Sequence, residues 1–366
     1  NNIKAYHGGS FFNAIGNNFS TLEKSKEIIN ADVLDAWFKP SPKVISKIKQ
    51  YLPYIIRTSP PTQNEGLIRT IAKYRKIPQE NIIVSGGSSD LMFVFFTNIL
   101  KAGDKALILD PTYGEYAHIF KNVTKTKIIR HILKKNDNFI IDKEKLTNQI
   151  KTNKPNLILL VNPNSPTGQY WNRTNIVNLI KKFSNKLFVI DETYIEYIDK
   201  KLSLEKIAVK HKNLVIIKSM SKVYALSGAR VGYLVAHTSV INKISPFIPP
   251  WSVGLVGQVA GVEALKGSRY YQKKYNETHL LRKKMIMQLR NIPSIKIYDS
   301  VANFFLIELK NKLKADKIVQ KLRKQKIYLR NCDSMSYQFD NNFIRIAVKD
   351  EKTNKIMAKA LKDTLK

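Results

Sequence analysis

The chain has 366 residues, 43% of them hydrophobic and 25% charged. That is room for one large domain or two moderate ones around a sizeable core, and it excludes a disordered, collagen-like or disulfide-built chain. Lysine and arginine total 62 against 28 acids, a formal net charge of +34, so the surface attracts anions such as nucleic acid, phosphate esters and acidic membranes. The basic residues are scattered through nearly every segment, with no block interleaved with aromatics, and nucleic acid is not the expected partner. Cys332 is the single cysteine; nothing indicates an oxidising compartment, and a cytoplasmic location is expected. The apolar runs 91–100 and 246–265 are interrupted by polar residues, prolines or glycines, and neither reads as a membrane span. The chain starts at Asn1 without a charged-then-apolar leader, so the expectation is a trimmed chain, or one cut from a fusion with a further N-terminal domain.

In chain order, Val44, Ile45, Ile48, Tyr51 and Leu52 recur at helical spacing, and a second helix runs through Leu67, Ile68, Ile71 and Tyr74. A strand is predicted at 81–84, leading through Ser85-Gly86-Gly87-Ser88-Ser89 into a helix over 90–100. Strands follow at 106–109, 157–161, 187–190 and 214–217, alternating with helical stretches and each ending in polar or turn residues. That alternation predicts an α/β fold, a mostly parallel sheet with helices on both faces. The tail differs: helices at 256–265, 270–289 and 315–324 accompany strands at 303–308 and 343–348, which predicts a smaller α+β domain. The expected division is an N-terminal segment over 1–41 packing with the small domain, a large domain over 42–249 and a small domain over 250–366.

In parallel sheets ligands bind beyond the carboxyl ends of strands, and the unusual residues fall there. Gly87, Ser88 and Ser89 open a helix, where backbone amides and hydroxyls hold a phosphate against the positive helix end; by itself such a turn is equally a plain cap. Asn162-Pro163-Asn164-Ser165-Pro166-Thr167-Gly168 is a locked turn that offers Asn164 and Ser165 to a ligand, or else a simple loop. Asp191 ends an apolar strand, and a carboxylate there needs a cation or several donors. No histidine or cysteine cluster has metal-ligand spacing, so no metal is expected and a protonated heterocycle is the alternative cation. Ser219-Met220-Ser221-Lys222, with Arg230 eight residues on, suits a Schiff-base lysine beside a phosphate clamp.

Together these residues resemble, over nearly the whole chain and in the same order, the fold-type I pyridoxal-phosphate enzymes of the class I/II aminotransferase family. The resemblance implies that Lys222 binds pyridoxal 5'-phosphate covalently and Asp191 pairs with the pyridine nitrogen. It implies further that Tyr194 reaches the phenolic oxygen and that Tyr113 stacks on the ring. Gly87, Ser88, Ser89, Ser219, Ser221 and Arg230 would serve the cofactor phosphate, and Arg345, in Phe343-Ile344-Arg345-Ile346, the substrate carboxylate. A homodimer with shared active sites is implied as well. Two departures stand out. Ser165 occupies the slot where the family carries an asparagine that bonds the cofactor's phenolic oxygen, so by the resemblance either Ser165 or the preceding Asn164 binds the cofactor there, and Arg57-Thr58-Ser59-Pro60-Pro61 lacks the family's tyrosine that touches the cofactor phosphate.

Two branches are similar, histidinol-phosphate aminotransferase and threonine-phosphate decarboxylase, and both handle phosphorylated substrates. By that likeness Arg330 and His7 would meet a second anionic group on a small anionic substrate. The stretch Asn30-Ala31-Asp32-Val33-Leu34-Asp35-Ala36-Trp37-Phe38 fits neither branch. The expected function is an aminotransferase acting on a small amino or keto acid with a phosphate or phosphonate group. Decarboxylation of a phosphorylated amino acid is the alternative, and a basic nucleic-acid-binding protein the non-enzyme one.

Overall fold

The computed structural model describes residues 7–365. Two sheets organise them. The larger has seven strands in the order β2-β8-β7-β6-β5-β3-β4: β2 (Ile82–Ser85), β3 (Lys105–Asp110), β4 (Lys127–Ile132), β5 (Leu157–Val161), β6 (Leu187–Asp191), β7 (Leu214–Ser219) and β8 (Gly232–Ala236). From β4 to β7 every pairing is parallel, and β8 alone runs against its neighbours. The central strands are apolar on both faces because helices cover both: all of β5 and β7 and nearly all of β6 are buried. The predicted parallel α/β layer is therefore present.

Helix ends follow local chemistry. Asp142 accepts from the amides of Glu144 and Lys145 to cap the helix Lys143–Asn153, and Asp350 accepts from Thr353 at the start of Glu351–Thr364. The helix Leu255–Lys266 lies against Pro42–Arg57 and Glu65–Arg75, and a Cβ at Gly261 would come within 2.9 Å of the Leu67 side-chain tip, so the crossing is close there.

The second sheet has five strands, β1 (Ile29–Ala31), β9 (Ile295–Tyr298), β10 (Phe304–Leu309), β11 (Ile327–Asn331) and β12 (Phe343–Ala347), in the order β1-β11-β12-β10-β9. It is antiparallel except where β1 joins β11 in parallel, Ile29 facing Ile327. The chain after β1 then crosses towards the large sheet. Leu34 O accepts from Asn303 Nδ2 at 3.0 Å, Trp37 Nε1 donates to Thr278 Oγ1 at 2.8 Å, and Phe38 packs edge-on against Tyr271. No helix among the described residues is long and apolar enough to cross a membrane.

Candidate active site

The ends of β5, β6 and β7, the start of the helix Ser88–Ile99, and Arg330 and Arg345 on β11 and β12 line a cavity of about 260 Å³. Asp191, the last residue of β6, is 3% exposed. Burial alone raises its carboxyl pKa, and three hydrogen bonds oppose that: Thr193 N at 2.9 Å, Thr193 Oγ1 at 2.6 Å and Tyr116 OH at 2.6 Å. The carboxylate is thus aimed and anchored, as a partner for a buried cation must be.

Lys222 follows β7 by three residues and lines the same cavity. Burial lowers its pKa, Asp35 opposes the shift, and Arg345 and Arg230 add to it. Its Nζ donates to Asp35 Oδ1 at 2.8 Å. Tyr113 and Tyr194 line the walls. Burial pushes the Tyr113 phenol up to about 12, and the Tyr194 phenol is raised further by the same cause, so both are neutral donors at physiological pH.

A phosphate-sized cradle sits at one end. Ser88, Ser89, Ser219, Ser221 and Arg230 all face it. Arg230 Nη1 donates to Ser227 O at 3.0 Å, which holds its guanidinium in place. Gly87 has φ +100°, and a Cβ there would meet Arg230 Nη2 at 2.6 Å. A Cβ on Gly232 would come within 2.4 Å of Ser88 N. Only glycines let the helix start, β8 and the guanidinium approach one another this closely. The result is an anion site at a helix N-terminus.

On the small sheet, β12 brings Arg345 and β11 brings Arg330 directly opposite each other. Arg345 Nη1 donates to Ser165 Oγ at 2.9 Å and Nη2 to Asp32 O at 3.0 Å, while its buried Nε has no hydrogen-bond partner among the described residues. Arg330 Nη1 lies 3.9 Å from Asp32 Oδ1. His7 lines the cavity mouth with its Nε2 at 2.6 Å from Glu115.

The cavity thus gathers the residues singled out in the sequence, with two exceptions. Gly87 lies behind the wall, touching Arg230. Asn164 is buried and turned away: its Nδ2 donates to Pro111 O at 2.9 Å and its Oδ1 accepts from Thr112. Its amide ties two loops together, and of the pair only Ser165 faces the cavity. Cys332 is buried, its thiol pushed up to about 11 by burial, and it behaves as a small apolar residue.

Sequence reasoning missed Tyr116, Asp32, Asp35 and Lys349. Tyr116 stood in the Asp110–Tyr116 motif without an assigned role. The two aspartates lay in the stretch that matched neither branch, which was the available signal. Lys349, whose Nζ donates to Asp35 O at 3.3 Å, carried none.

The donor set fits a phosphorylated pyridinium aldehyde: an anion cradle, a carboxylate for a ring nitrogen and a half-buried lysine between them. Fold and site together define a pyridoxal-phosphate enzyme of fold type I. The chain belongs to the aminotransferase class I and II family, whose model matches residues 30–361. It is 28% identical over 347 residues to a histidinol-phosphate aminotransferase from Methanococcus aeolicus, covering 94% of this chain and 92% of the relative. The crystal structure of a histidinol-phosphate aminotransferase from Clostridium acetobutylicum superposes with a TM-score of 0.84 at 25% identity, covering 92% of this chain and 99% of that one. An L-threonine-O-3-phosphate decarboxylase from Porphyromonas gingivalis shares the fold, with a TM-score of 0.81 at 21% identity over 92% of this chain and 99% of that one.

Proposed function

We propose that this chain transfers the amino group of a small amino acid that carries a phosphate or phosphonate as a second anionic group. The observation that carries the reading is the facing pair Arg330 and Arg345, which lines the cavity from the small sheet, apart in the fold from the strand-end serines and Arg230 of the anion cradle. One planar guanidinium suits a carboxylate, and a second adjacent one suits a further anion. A cavity of about 260 Å³ limits the substrate to a small molecule.

In this reading Ser88, Ser89, Ser219, Ser221 and Arg230 hold the phosphate of pyridoxal 5'-phosphate, and Gly87 leaves room for the Arg230 guanidinium. Asp191 meets the ring nitrogen, Tyr194 the phenolic oxygen and Tyr113 a ring face. Lys222 provides the covalent attachment. When bound, the cofactor supplies an electron sink that weakens the bonds at the substrate's α-carbon. Lys222 Nζ is the base that takes the α-proton, and burial beside Arg345 and Arg230 favours its neutral, proton-accepting form. Arg345 fixes the substrate carboxylate and Arg330, with His7 at the mouth, the second anion. These anchors determine which α-bond is presented to the base and which is left intact.

The likeness in fold to a threonine-phosphate decarboxylase supports a second reading, in which the same anchors present the carboxylate bond instead. Products separate the two. Holoenzyme incubated with phosphorylated and phosphonate amino acids and a keto-acid acceptor is expected to yield keto acids without carbon dioxide. Carbon dioxide and an amine would move the protein to the second reading. Absence of a visible cofactor absorbance band after pyridoxal phosphate is added would overturn both.

We also propose that two copies associate. The helix Pro42–Arg57 exposes Ile45, Leu52 and Ile56 along one stripe, apolar surface that water disfavours. Light scattering at the mass of one chain would count against a dimer.

A further inference from the structure

The stretch 30–38, which fits neither similar branch, has a physical role in this structure. It leaves the small sheet at β1, crosses beside the cavity and docks through Trp37 and Phe38 on the helix Ser268–Leu289. Between those anchors it is pinned twice more, by Arg345 Nη2 on Asp32 O and by Asn303 Nδ2 on Leu34 O. The strap therefore has little freedom at Asp35, the next residue. The carboxylate of Asp35 accepts from Lys222 Nζ at 2.8 Å, and its backbone oxygen accepts from Lys349 Nζ at 3.3 Å. Two lysines from different parts of the chain thus converge on one aspartate.

We propose that Asp35 is a positioning residue for Lys222: it holds the amine turned towards the strap and sets how readily that amine releases its proton, with Lys349 as the aspartate's second cation. The inference rests on the reading of Lys222 as the cofactor-holding lysine. The groups around the pair all act on it. Lys222 faces Asp35 from the strap, Arg345 from β12 and Arg230 from the segment before β8. Asp35 faces Lys222, Lys349 and the Ser227 hydroxyl, and Tyr194 senses its charge. Lys349 in turn faces Asp35, Lys222 and Asp350.

The arrangement has a consequence for charge balance. An amine attacks an aldehyde, or accepts a proton from carbon, only as the free base. Arg345, Arg230 and burial all push Lys222 towards that form, and Asp35 alone among its close partners pulls the other way. Once Lys222 loses its proton, Asp35 still has Lys349 beside it, held by burial at about 8 and so charged at neutral pH. A positive charge therefore remains near the partly exposed carboxylate when the lysine becomes neutral.

The test measures the proton affinity of Lys222 directly, on the full chain freed of cofactor. Fluorodinitrobenzene labels only neutral amines, and peptide mass spectrometry reports labelling at Lys222 as a function of pH. In Asp35→Asn the profile is expected to move to lower pH, with labelling at neutral pH roughly tenfold faster. Asp35→Glu is expected to restore most of the wild-type profile, which a merely structural role would not produce. Lys349→Met is expected to move the profile to higher pH, because one repelling cation has gone. Unchanged profiles in D35N and K349M, or shifts of the same sign in both, overturn the proposal. If D35N does not fold, the sign of the K349M shift decides alone. Pyridoxal phosphate titrated into the wild type separates this inference from the function it rests on. No capture at Lys222 alongside shifted profiles would remove the enzyme reading and leave the electrostatic coupling standing.

Discussion

Tyr116 donates its phenolic proton to Asp191 Oδ2 across 2.6 Å, and both side chains are almost wholly buried. The pair comes from segments 75 residues apart, one after β3 and one at the end of β6. Without Tyr116 the carboxylate would keep only the two bonds from Thr193, and its pKa, already raised by burial, would rise further. In Tyr116→Phe, cofactor binding is expected to weaken by about 1.5–3 kcal/mol, the worth of a hydrogen bond to a charged group. Asp191 must be ionised to pair with a protonated ring, so the variant loses the cofactor at a higher pH than the wild type as pH falls. Absorbance titrations of cofactor at several pH values check this; equal affinities at every pH would show that Tyr116 is only packing.

Lys222 is the side chain through which a covalent link would form. Lys222→Ala is expected to remove the visible band of lysine-bound cofactor while leaving the anion cradle of Ser88, Ser89 and Arg230 able to hold it weakly. A band that survives dialysis of the variant would assign the attachment to another lysine.

Much of this site was legible because its residues sit where strands end. Asp191 closes an unbroken apolar strand and Lys222 follows another, and buried parallel strands announce themselves as continuous hydrophobic runs. Other elements left weaker traces. β4, Lys127–Ile132, is an edge strand carrying Lys127, Arg130 and His131, which hides its apolar alternation. β1 is three residues long and exists only because β11 pairs with it. The reversal of β8 is a property of the path between strands and is not encoded in strand composition. Asp35 and Lys222 lie 187 residues apart; the sequence marked the strap as unusual but carried no sign of which cation it would meet. Asn164 illustrates the converse, a residue placed by motif beside the cofactor whose amide is engaged in joining two loops.

Arg345 is held by Ser165 Oγ and Asp32 O, so its guanidinium is oriented before any substrate arrives. Removing a charge-assisted contact that preorganised costs about 2–3 kcal/mol. Arg345→Ala is expected to lower kcat/KM for carboxylate substrates by roughly 30- to 150-fold, mostly through KM. An amine lacking the carboxylate should be affected little. A loss of the same size for both compounds would mean that Arg345 supports the fold of the cavity and does not read the carboxylate.

Beneath the site, Arg75 and Lys218 share three buried carboxylates. Arg75 pairs with Glu205 and reaches Glu196 at 3.3 Å, and Lys218 Nζ lies 2.7 Å from Glu196 and 3.5 Å from Glu192. Burial works to raise the Glu205 carboxyl, but Arg75, Lys218 and the Tyr233 hydroxyl outweigh it, and the pKa falls below its ordinary 4.5. A carboxyl lowered on folding stabilises the folded chain above its unfolded pKa and loses that contribution as pH falls through the folded value. Arg75→Met would leave Glu205 charged and buried without its main partner, at a cost of about 3–5 kcal/mol near pH 7. The difference between variant and wild type should then shrink as pH falls, because without Arg75 burial raises Glu205 in the variant, which takes up a proton before the wild type does and no longer needs the cation. Urea unfolding of both proteins from neutral pH into acid measures it. A gap that stays constant in acid would assign the loss in Arg75→Met to packing.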